Sequence, residues 1–195
     1  MYHMKSNCLK TPPLEGRKAR LLAAAARVWS RDPAAGLGAI AQAAGVGRAT
    51  LHRYFPGRRD LLRQAGVAGL VALAEALEGL DADLPPEAAL RALFHVLVPF
   101  GDRLHFLVVT PELEGDSQIQ AAEARVDARV LPVLERCTKA GLLRADLPPG
   151  WRDAVLEALL YATWAAVARG EVAPLAAPGL LHETVMRGLG PGGKA

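Results

Sequence analysis

Apolar residues recur along most of this chain at intervals of three and four positions, which is the period of an α-helix with one buried face. Leu21, Leu22, Ala25, Val28 and Trp29 show the pattern in the first such segment, and cationic residues supply its polar positions. Prolines and glycines interrupt the pattern between segments. It therefore predicts helices at residues 14–31, 37–44, 47–54, 58–80, 87–108, 117–140, 151–169 and 175–189.

Prolines also lie inside two of these predicted helices. Pro99, followed by Gly101, falls within 87–108, and Pro132 falls within 117–140. A proline removes one backbone donor, and its ring clashes with the preceding turn of the helix. We therefore expect both helices to be kinked or divided at these positions.

Composition favours an all-α fold without a membrane segment. Ala and Leu carry most of the 51% apolar content and aromatic residues make up only 5%, so residues that favour strands are scarce. The longest apolar stretches, 92–100 and 158–168, fall well short of the ~20 residues that a membrane span requires. With only two cysteines, Cys8 and Cys137, a disulfide framework is not expected. Since no signal peptide is evident either, we expect a soluble, cytoplasmic protein.

Charge is distributed unevenly between the two parts of the chain. Residues 1–60 contain eleven Lys/Arg and three Asp/Glu, whereas residues 61–195 contain twelve Lys/Arg and seventeen Asp/Glu. A basic N-terminal part on a mildly acidic body is typical of a protein that binds nucleic acid. A solvated basic tail is the alternative, but most of the N-terminal cations lie within predicted helices.

The segment 37–55 has the features of a helix-turn-helix. Two short helices are predicted there, and small residues at Ala41 and Ala44 would let them cross closely. Gly45 supplies the positive φ that the turn requires. Four apolar residues would hold both helices against the first one: Ile40, Val46, Leu51 and Phe55.

The second of these helices has one buried and one exposed side. At about 100° per residue, Leu51 and Phe55 mark the buried side. The opposite side contains no carboxylate and is made of the residues Arg48, Ala49, Thr50, His52, Arg53 and Tyr54. Such a short, cationic face can enter the major groove of double-stranded DNA.

The stretch IAQAAGVGRATLHRYFPGRRDLL, residues 40–62, resembles the signature of the TetR family of bacterial transcription regulators. The resemblance implies an N-terminal three-helix DNA-binding domain and a larger C-terminal helical domain for ligand binding and dimerisation. We accordingly predict a flexible arm at 1–13, the helix-turn-helix domain at 14–57, the effector-binding and dimerisation domain at 58–190, and a flexible tail at 191–195.

The same resemblance implies roles for individual residues. Arg48 and Ala49 would approach bases, and the phosphate contacts would come from Thr50, His52, Tyr54 and Arg58. His52 and Arg58 stand where the family usually has Tyr and Lys, and Gly47 stands where it often has a capping Ser. The connection 31–37 also looks about two residues short, and Gly36 replaces the Thr that usually caps the second helix.

Two segments of the body are apolar nearly all round a helix, 88–100 and 158–168, and each must therefore be covered on two sides. For 158–168 the resemblance implies a homodimer through the last two helices; a central helix within one monomer is the alternative. For the middle region it implies a pocket for a hydrophobic or aromatic effector. The candidate lining residues are His95, His105, Tyr161, Thr163 and Trp164, for which ordinary core positions are the alternative.

Nothing in the sequence indicates an enzyme. No Ser/His/Asp or Cys/His arrangement, phosphate-binding glycine loop or paired-carboxylate motif stands out, and the spacing of His95, His105 and His182 does not suit a metal site. We expect no cofactor. The leading hypothesis is a repressor that releases a palindromic operator when its effector binds. The alternatives are a constitutive or activating regulator without effector, and a small-molecule-binding protein or enzyme with an incidental basic head.

Overall fold

The computed structural model describes residues 16–190, and within that range the protein is helical without a strand. Two single 3₁₀ turns, Val98–Phe100 and Pro111–Leu113, join longer elements. The α-helices are α1 (Arg17–Arg31), α2 (Leu37–Ala43), α3 (Arg48–Tyr54), α4 (Arg58–Glu78), α5 (Pro86–Leu97), α6 (Gly101–Val108), α7 (Ser117–Lys139), α8 (Pro149–Ala168) and α9 (Ala177–Gly188). The all-α prediction is confirmed. The predicted arm, with Cys8, and the predicted tail lie outside the described residues.

The two internal prolines have different effects. The predicted helix 87–108 is divided, because the 3₁₀ turn that contains Pro99 separates α5 from α6. By contrast, α7 continues through Pro132, so the helix is not divided there, and a kink stays a prediction. Pro132 is exposed, and so is Ala128, whose carbonyl loses its helical donor. Water can satisfy that carbonyl, so the helix need not end.

Helices α1–α3 form a head that is continuous with a body made of α4–α9. Helix α1 packs against α2, α4 and α6, and α4 extends from the head to pack along α7. In the body, α5 packs against α7 and α9, while α8 packs against α6 and α9. The buried residues form one cluster that runs from head to body, so both parts share a hydrophobic core.

Trp29 lies at the centre of the head, as its position in the pattern predicts. The side chain is fully buried, and its indole Nε1 donates a hydrogen bond of 2.9 Å to the carbonyl oxygen of Ala35. Its ring centroid lies 6.0 Å from that of Phe106 on α6. An indole needs a partner for its N–H when buried, and here that partner is in the α1–α2 connection. Between residues 16 and 190 no helix has the length and apolarity to cross a bilayer.

Candidate nucleic-acid interface and cleft

The turn between α2 and α3 depends on Gly45. Its φ is +66°, in the left-handed region that glycine adopts without strain. The N–H of Val46 donates to the carbonyl of Ala41 at 2.9 Å, and the N–H of Gly45 donates to that of Gln42 at 3.0 Å. These two bonds form a Schellman motif, which ends α2 and starts the chain toward α3. The predicted role of Gly45 is confirmed.

Helix α3 presents the side that the angular pattern predicts. Leu51 and the following Phe55 are 1% exposed and pack into the head. Thr50 and Tyr54 are half-buried at the border of the helix, and the exposed residues are Arg48, Ala49, His52 and Arg53. Among the described residues, neither arginine pairs with a carboxylate. The resulting surface is cationic and open to solvent, and contact of these residues with DNA stays a prediction.

Gly38 on α2 has a role that the sequence pattern did not reveal. A Cβ at Gly38 would lie 2.7 Å from Nη2 of Arg48 and 3.0 Å from its Nε. The guanidinium of Arg48 therefore lies directly against the backbone of α2. The absence of a side chain at Gly38 therefore leaves room for the guanidinium of Arg48 in this position.

Arg58 lies where the phosphate contact was expected but points into the head. Its Nη1 donates to the carbonyl of Ala35 at 2.7 Å, and its Nη2 donates to that of Pro33 at 2.6 Å. Its Nε lies 3.4 Å from Oε1 of Glu112, and its guanidinium lies 5.0 Å from the ring of Trp29. Each of its three nitrogens thus has a partner within the chain, so Arg58 holds the short α1–α2 connection in this structure, and its contact with a phosphate stays a prediction.

A cleft of about 570 Å³ opens in the body between α7 and α8. Leucine, valine and phenylalanine side chains from α4, α5 and α6 form most of its floor. Of the predicted lining residues, Tyr161 and Trp164 do lie there, with ring centroids 5.5 Å apart. The Trp164 indole is held in place because its Nε1 donates to the carbonyl of Leu97 at 3.2 Å.

The other three predicted lining residues lie elsewhere, and these predictions are wrong. His95 is exposed on the outer side of α5. His105 faces α1, where its Nδ1 lies 3.3 Å from the carbonyl oxygen of Ser30. Thr163 donates its hydroxyl to the carbonyl of Leu159, one turn back in α8. The three polar side chains thus contact solvent (His95), helix α1 of the head (His105) and their own helix (Thr163) rather than the cleft.

Carboxylates line the mouth of the cleft, and sequence reasoning missed them. Glu123 and Asp127 come from α7, and Asp153 and Glu157 come from α8. Each pair is spaced by four residues, which places both members on one side of a helix. Two such spacings are the only signal in the sequence, and they resemble ordinary solvated surface.

These carboxylates influence one another across the cleft. Burial raises the pKa of Glu123, and the negative charges of Glu157 and Asp127 raise it further. Burial likewise raises the pKa of Asp127, with added repulsion from Glu157 and Asp153. Burial raises the pKa of the Tyr161 phenol, and the hydrogen bond that its hydroxyl donates to a carboxylate oxygen of Glu157 raises it further. The mouth of the cleft is therefore a region of concentrated negative charge.

One side of α8 and α9 exposes small and apolar residues to solvent. On α8 these include Ala158 and Ala162, together with Trp151 near the start of the helix. On α9, Leu180 is 49% exposed, and Leu175 precedes the helix with 95% of its surface open. Large exposed apolar residues grouped on neighbouring helices are typical of a protein–protein interface.

The chain is similar to known regulators both in sequence and in structure. The family model described as bacterial regulatory proteins, tetR family, matches residues 21–65. The HTH-type transcriptional repressor LfrR of Mycolicibacterium smegmatis is 34% identical over 168 residues, which cover 86% of this chain and 87% of LfrR.

Two solved structures extend this similarity to three dimensions. The TetR-like regulator LfrR from Mycobacterium smegmatis in complex with proflavine has a TM-score of 0.73 and 30% identity, covering 92% of this chain and all of the other. The TetR regulator SCO0520 from Streptomyces coelicolor has a TM-score of 0.56 and 28% identity, covering 90% of this chain and 99% of the other. Both alignments extend far beyond the helix-turn-helix into the body.

Proposed function

This chain belongs to the TetR family of bacterial transcription regulators, and from that premise we propose that it is a repressor controlled by a small molecule. As a homodimer it would bind a palindromic operator and release it when a ligand occupies the cleft. The observation that carries the proposal is the exposed side of α3, which is cationic and contains no carboxylate. Acting on chromosomal DNA, such a protein works in the bacterial cytoplasm.

In the proposed complex, α3 enters the major groove and its first residues meet the base edges. Arg48 can donate two hydrogen bonds to a guanine, and Ala49 can contact a thymine methyl group. Thr50, His52 and Tyr54 border this site, and they would donate to phosphates together with Arg53. Phosphate contacts fix the position of the helix on the duplex, whereas base contacts determine which sequence is preferred.

The outer side of α8 and α9 is the proposed dimer interface. Ala158 and Ala162 lie one turn apart and carry side chains small enough to let a partner helix approach closely. Leu180 on α9 would add apolar area beside them. A two-fold dimer through these helices presents two α3 helices to successive grooves, so the operator should be palindromic.

Helix α6 offers a physical route from the cleft to the head. On one side Phe106 packs against Trp29 of α1, and on the other Leu104 and Leu107 line the cleft. A ligand that favours a different position of α6 would also move α1 and change the distance between the two heads. Because half-sites lie about 34–36 Å or a multiple apart, a small rotation of each head prevents both from binding together.

The experiment is a fluorescence-anisotropy titration with labelled DNA from upstream of the protein's own gene, alongside a shuffled duplex of the same composition. We expect a Kd of about 10⁻⁸ M or tighter for the first duplex at physiological salt, and much weaker binding to the second. Equal affinities would contradict the proposal. Binding that no small molecule relieves would instead identify a constitutive regulator.

A further inference from the structure

We infer that the cleft binds a planar organic cation, with the carboxylates of Glu123, Asp127 and Glu157 as its counter-charges. This inference rests on the proposed function, because it assigns a chemical class to the effector of the same cleft. It goes further in naming the residues that would select the charge of the ligand.

The first argument is the charge balance at the cleft. Its lining contains four carboxylates and no lysine, arginine or histidine. Asp153 already has a cation partner, because Nη2 of the neighbouring Arg152 lies 2.7 Å from its Oδ1. That guanidinium is also buried and donates to the hydroxyl of Thr138 at 2.7 Å, so it is held at Asp153.

The remaining three carboxylates have no cation partner in the described part of the chain. Glu123 and Asp127 are contributed by α7, and Glu157 faces them from α8. Like charges placed opposite one another in a partly desolvated site repel and raise each other's pKa, as they do here. A ligand with positive charge would relieve this repulsion, whereas an anion would add to it.

The second argument concerns the shape of the cation. Within residues 16–190, no three His, Cys, Asp or Glu side chains lie close enough together to hold a metal ion. The carboxylates are therefore spread along the cleft rather than focused on a point. A volume of about 570 Å³ falls within the range of sites for drug-sized molecules. Both observations favour an extended organic cation over an inorganic one.

The third argument is the aromatic wall beside the carboxylates. Tyr161 and Trp164 lie next to each other on α8, and both contribute to the lining. Trp164 is seated against Gly101 of α6, where a Cβ would collide with the indole ring. Tyr161 is held by its hydrogen bond to Glu157. Fixed aromatic rings next to carboxylates suit a flat cation, which gains both stacking and cation–π attraction.

The test compares two probes with the same ring system. Proflavine carries a positive charge at neutral pH, and 3,6-diacetamidoacridine is its uncharged counterpart. We expect wild-type protein to bind proflavine at least tenfold more tightly in a fluorescence titration. The double variant Glu123→Gln/Asp127→Asn should lose at least tenfold affinity for proflavine and keep its affinity for the uncharged probe.

Glu75→Gln is the matched control, because Glu75 is an exposed carboxylate of α4 outside the cleft lining. It should bind both probes as wild type does. Both replacements in the double variant are isosteric and remove repulsion, so a melting curve should show that it folds at least as stably as wild type. Equal wild-type affinity for the two probes, or unchanged proflavine binding by a folded double variant, would overturn the inference.

Operator binding without ligand separates this inference from the proposed function. If wild-type protein binds its operator but does not distinguish the two probes, the inference fails and the proposed function stands. If it distinguishes them through Glu123 and Asp127 but binds no operator, the inferred cation site stands and the proposed function fails.

Discussion

Trp29 and Arg58 donate hydrogen bonds to the same carbonyl oxygen, that of Ala35, over 2.9 and 2.7 Å. The guanidinium also lies 5.0 Å from the indole ring, so the two side chains contact each other as well as their shared acceptor. Through this arrangement the first turn of α4 is fastened to the connection between α1 and α2. The short α1–α2 connection, which ends in Gly36, is thereby held in place by Arg58 of α4.

Replacing Arg58 should therefore destabilise the protein. We expect Arg58→Ala to lower the free energy of unfolding by about 1–3 kcal/mol, because the carbonyls of Pro33 and Ala35 lose a charged donor. Arg58→Lys should recover little of this stability, since an ammonium group lacks the planar fork of N–H donors that reaches both carbonyls. Urea denaturation measures the effect. Arg59→Ala is the control, because Arg59 is exposed, and a loss of stability equal to that of Arg58→Ala would refute the role given to Arg58.

Two substitutions on α3 should separate base contacts from phosphate contacts. Arg48→Ala should cost about 1–3 kcal/mol of operator affinity and relax the sequence preference, because it removes a donor to base edges. Tyr54→Phe should weaken binding to all duplexes alike, because it removes only a hydroxyl and keeps the ring beside Phe55. Anisotropy titrations on operator and on single-base variants distinguish the two effects. Wild-type affinity in both variants would argue against the proposed DNA-binding side.

The proposed dimer interface can be tested with one added charge. Ala162→Glu would place a carboxylate in the contact between apolar helices, where it has no partner, so we expect monomers that bind operator poorly. Ala121→Glu is the control, because Ala121 is exposed on α7. Analytical ultracentrifugation at micromolar concentration measures the oligomeric state. A monomeric wild-type protein, or a dimeric Ala162→Glu variant, would contradict the interface.

The same chemical change should have opposite effects at two glycines. Gly45→Ala should lower the free energy of unfolding by about 1 kcal/mol, because its φ of +66° is unfavourable for a residue with a Cβ. Gly150→Ala should raise stability slightly, because Gly150 lies within α8 and a Cβ there meets nothing within 4 Å. Thermal melts of the two variants provide the comparison. Equal effects would mean that the turn does not depend on the left-handed conformation.

Burial and mutual repulsion of the cleft carboxylates should make stability depend on pH. The pKa values of Glu123 and Asp127 are raised in the folded protein, so the folded state binds more protons than the unfolded state does. The stability that these two bound protons contribute is complete below the ordinary pKa values and is lost as the pH rises through the raised ones. The groups that face these two carboxylates are Asp153, Glu157 and Tyr161, and Arg152 is paired with Asp153. The residues of α4, α5 and α6 that line the cleft are uncharged.

At pH 7 the ligand-free variant Glu123→Gln/Asp127→Asn should therefore have a higher Tm than wild type. The difference should narrow as the pH falls toward the ordinary pKa values of 4.5 and 3.8. Differential scanning calorimetry across this range checks the expectation. A variant that melts below wild type at pH 7 would show that these carboxylates stabilise the folded protein instead.

The head was more predictable from sequence than the cleft for a physical reason. Its geometry depends on short-range features, such as the positive φ of Gly45 and the burial of Leu51 and Phe55 four residues apart. These features act within one or two helical turns, so the spacing of residues along the sequence was sufficient to predict which side of α3 is buried. The close approach of Arg48 to Gly38 joins two helices, and nothing in either helix alone indicates it.

The cleft depends on how distant helices face one another. His95 and His105 lie in apolar helices, but the rotation of each helix against its neighbours decides which side a polar group takes. The acidic pairs of α7 and α8 look like solvated surface until the two helices are placed opposite each other. The bonds of Arg58 were not predicted for the same reason, because its partners at Pro33 and Ala35 belong to a different part of the chain.

The exposed side of α3 has an evolutionary consequence. Ala49, His52 and Arg53 point into solvent, while Leu51 and Phe55 on the opposite side hold the helix in the head. Substitutions at the exposed positions leave the packed residues untouched, and surface changes of this kind alter stability by less than about 0.5 kcal/mol. After gene duplication, a copy of this protein could acquire a new target sequence without first acquiring a stabilising mutation elsewhere.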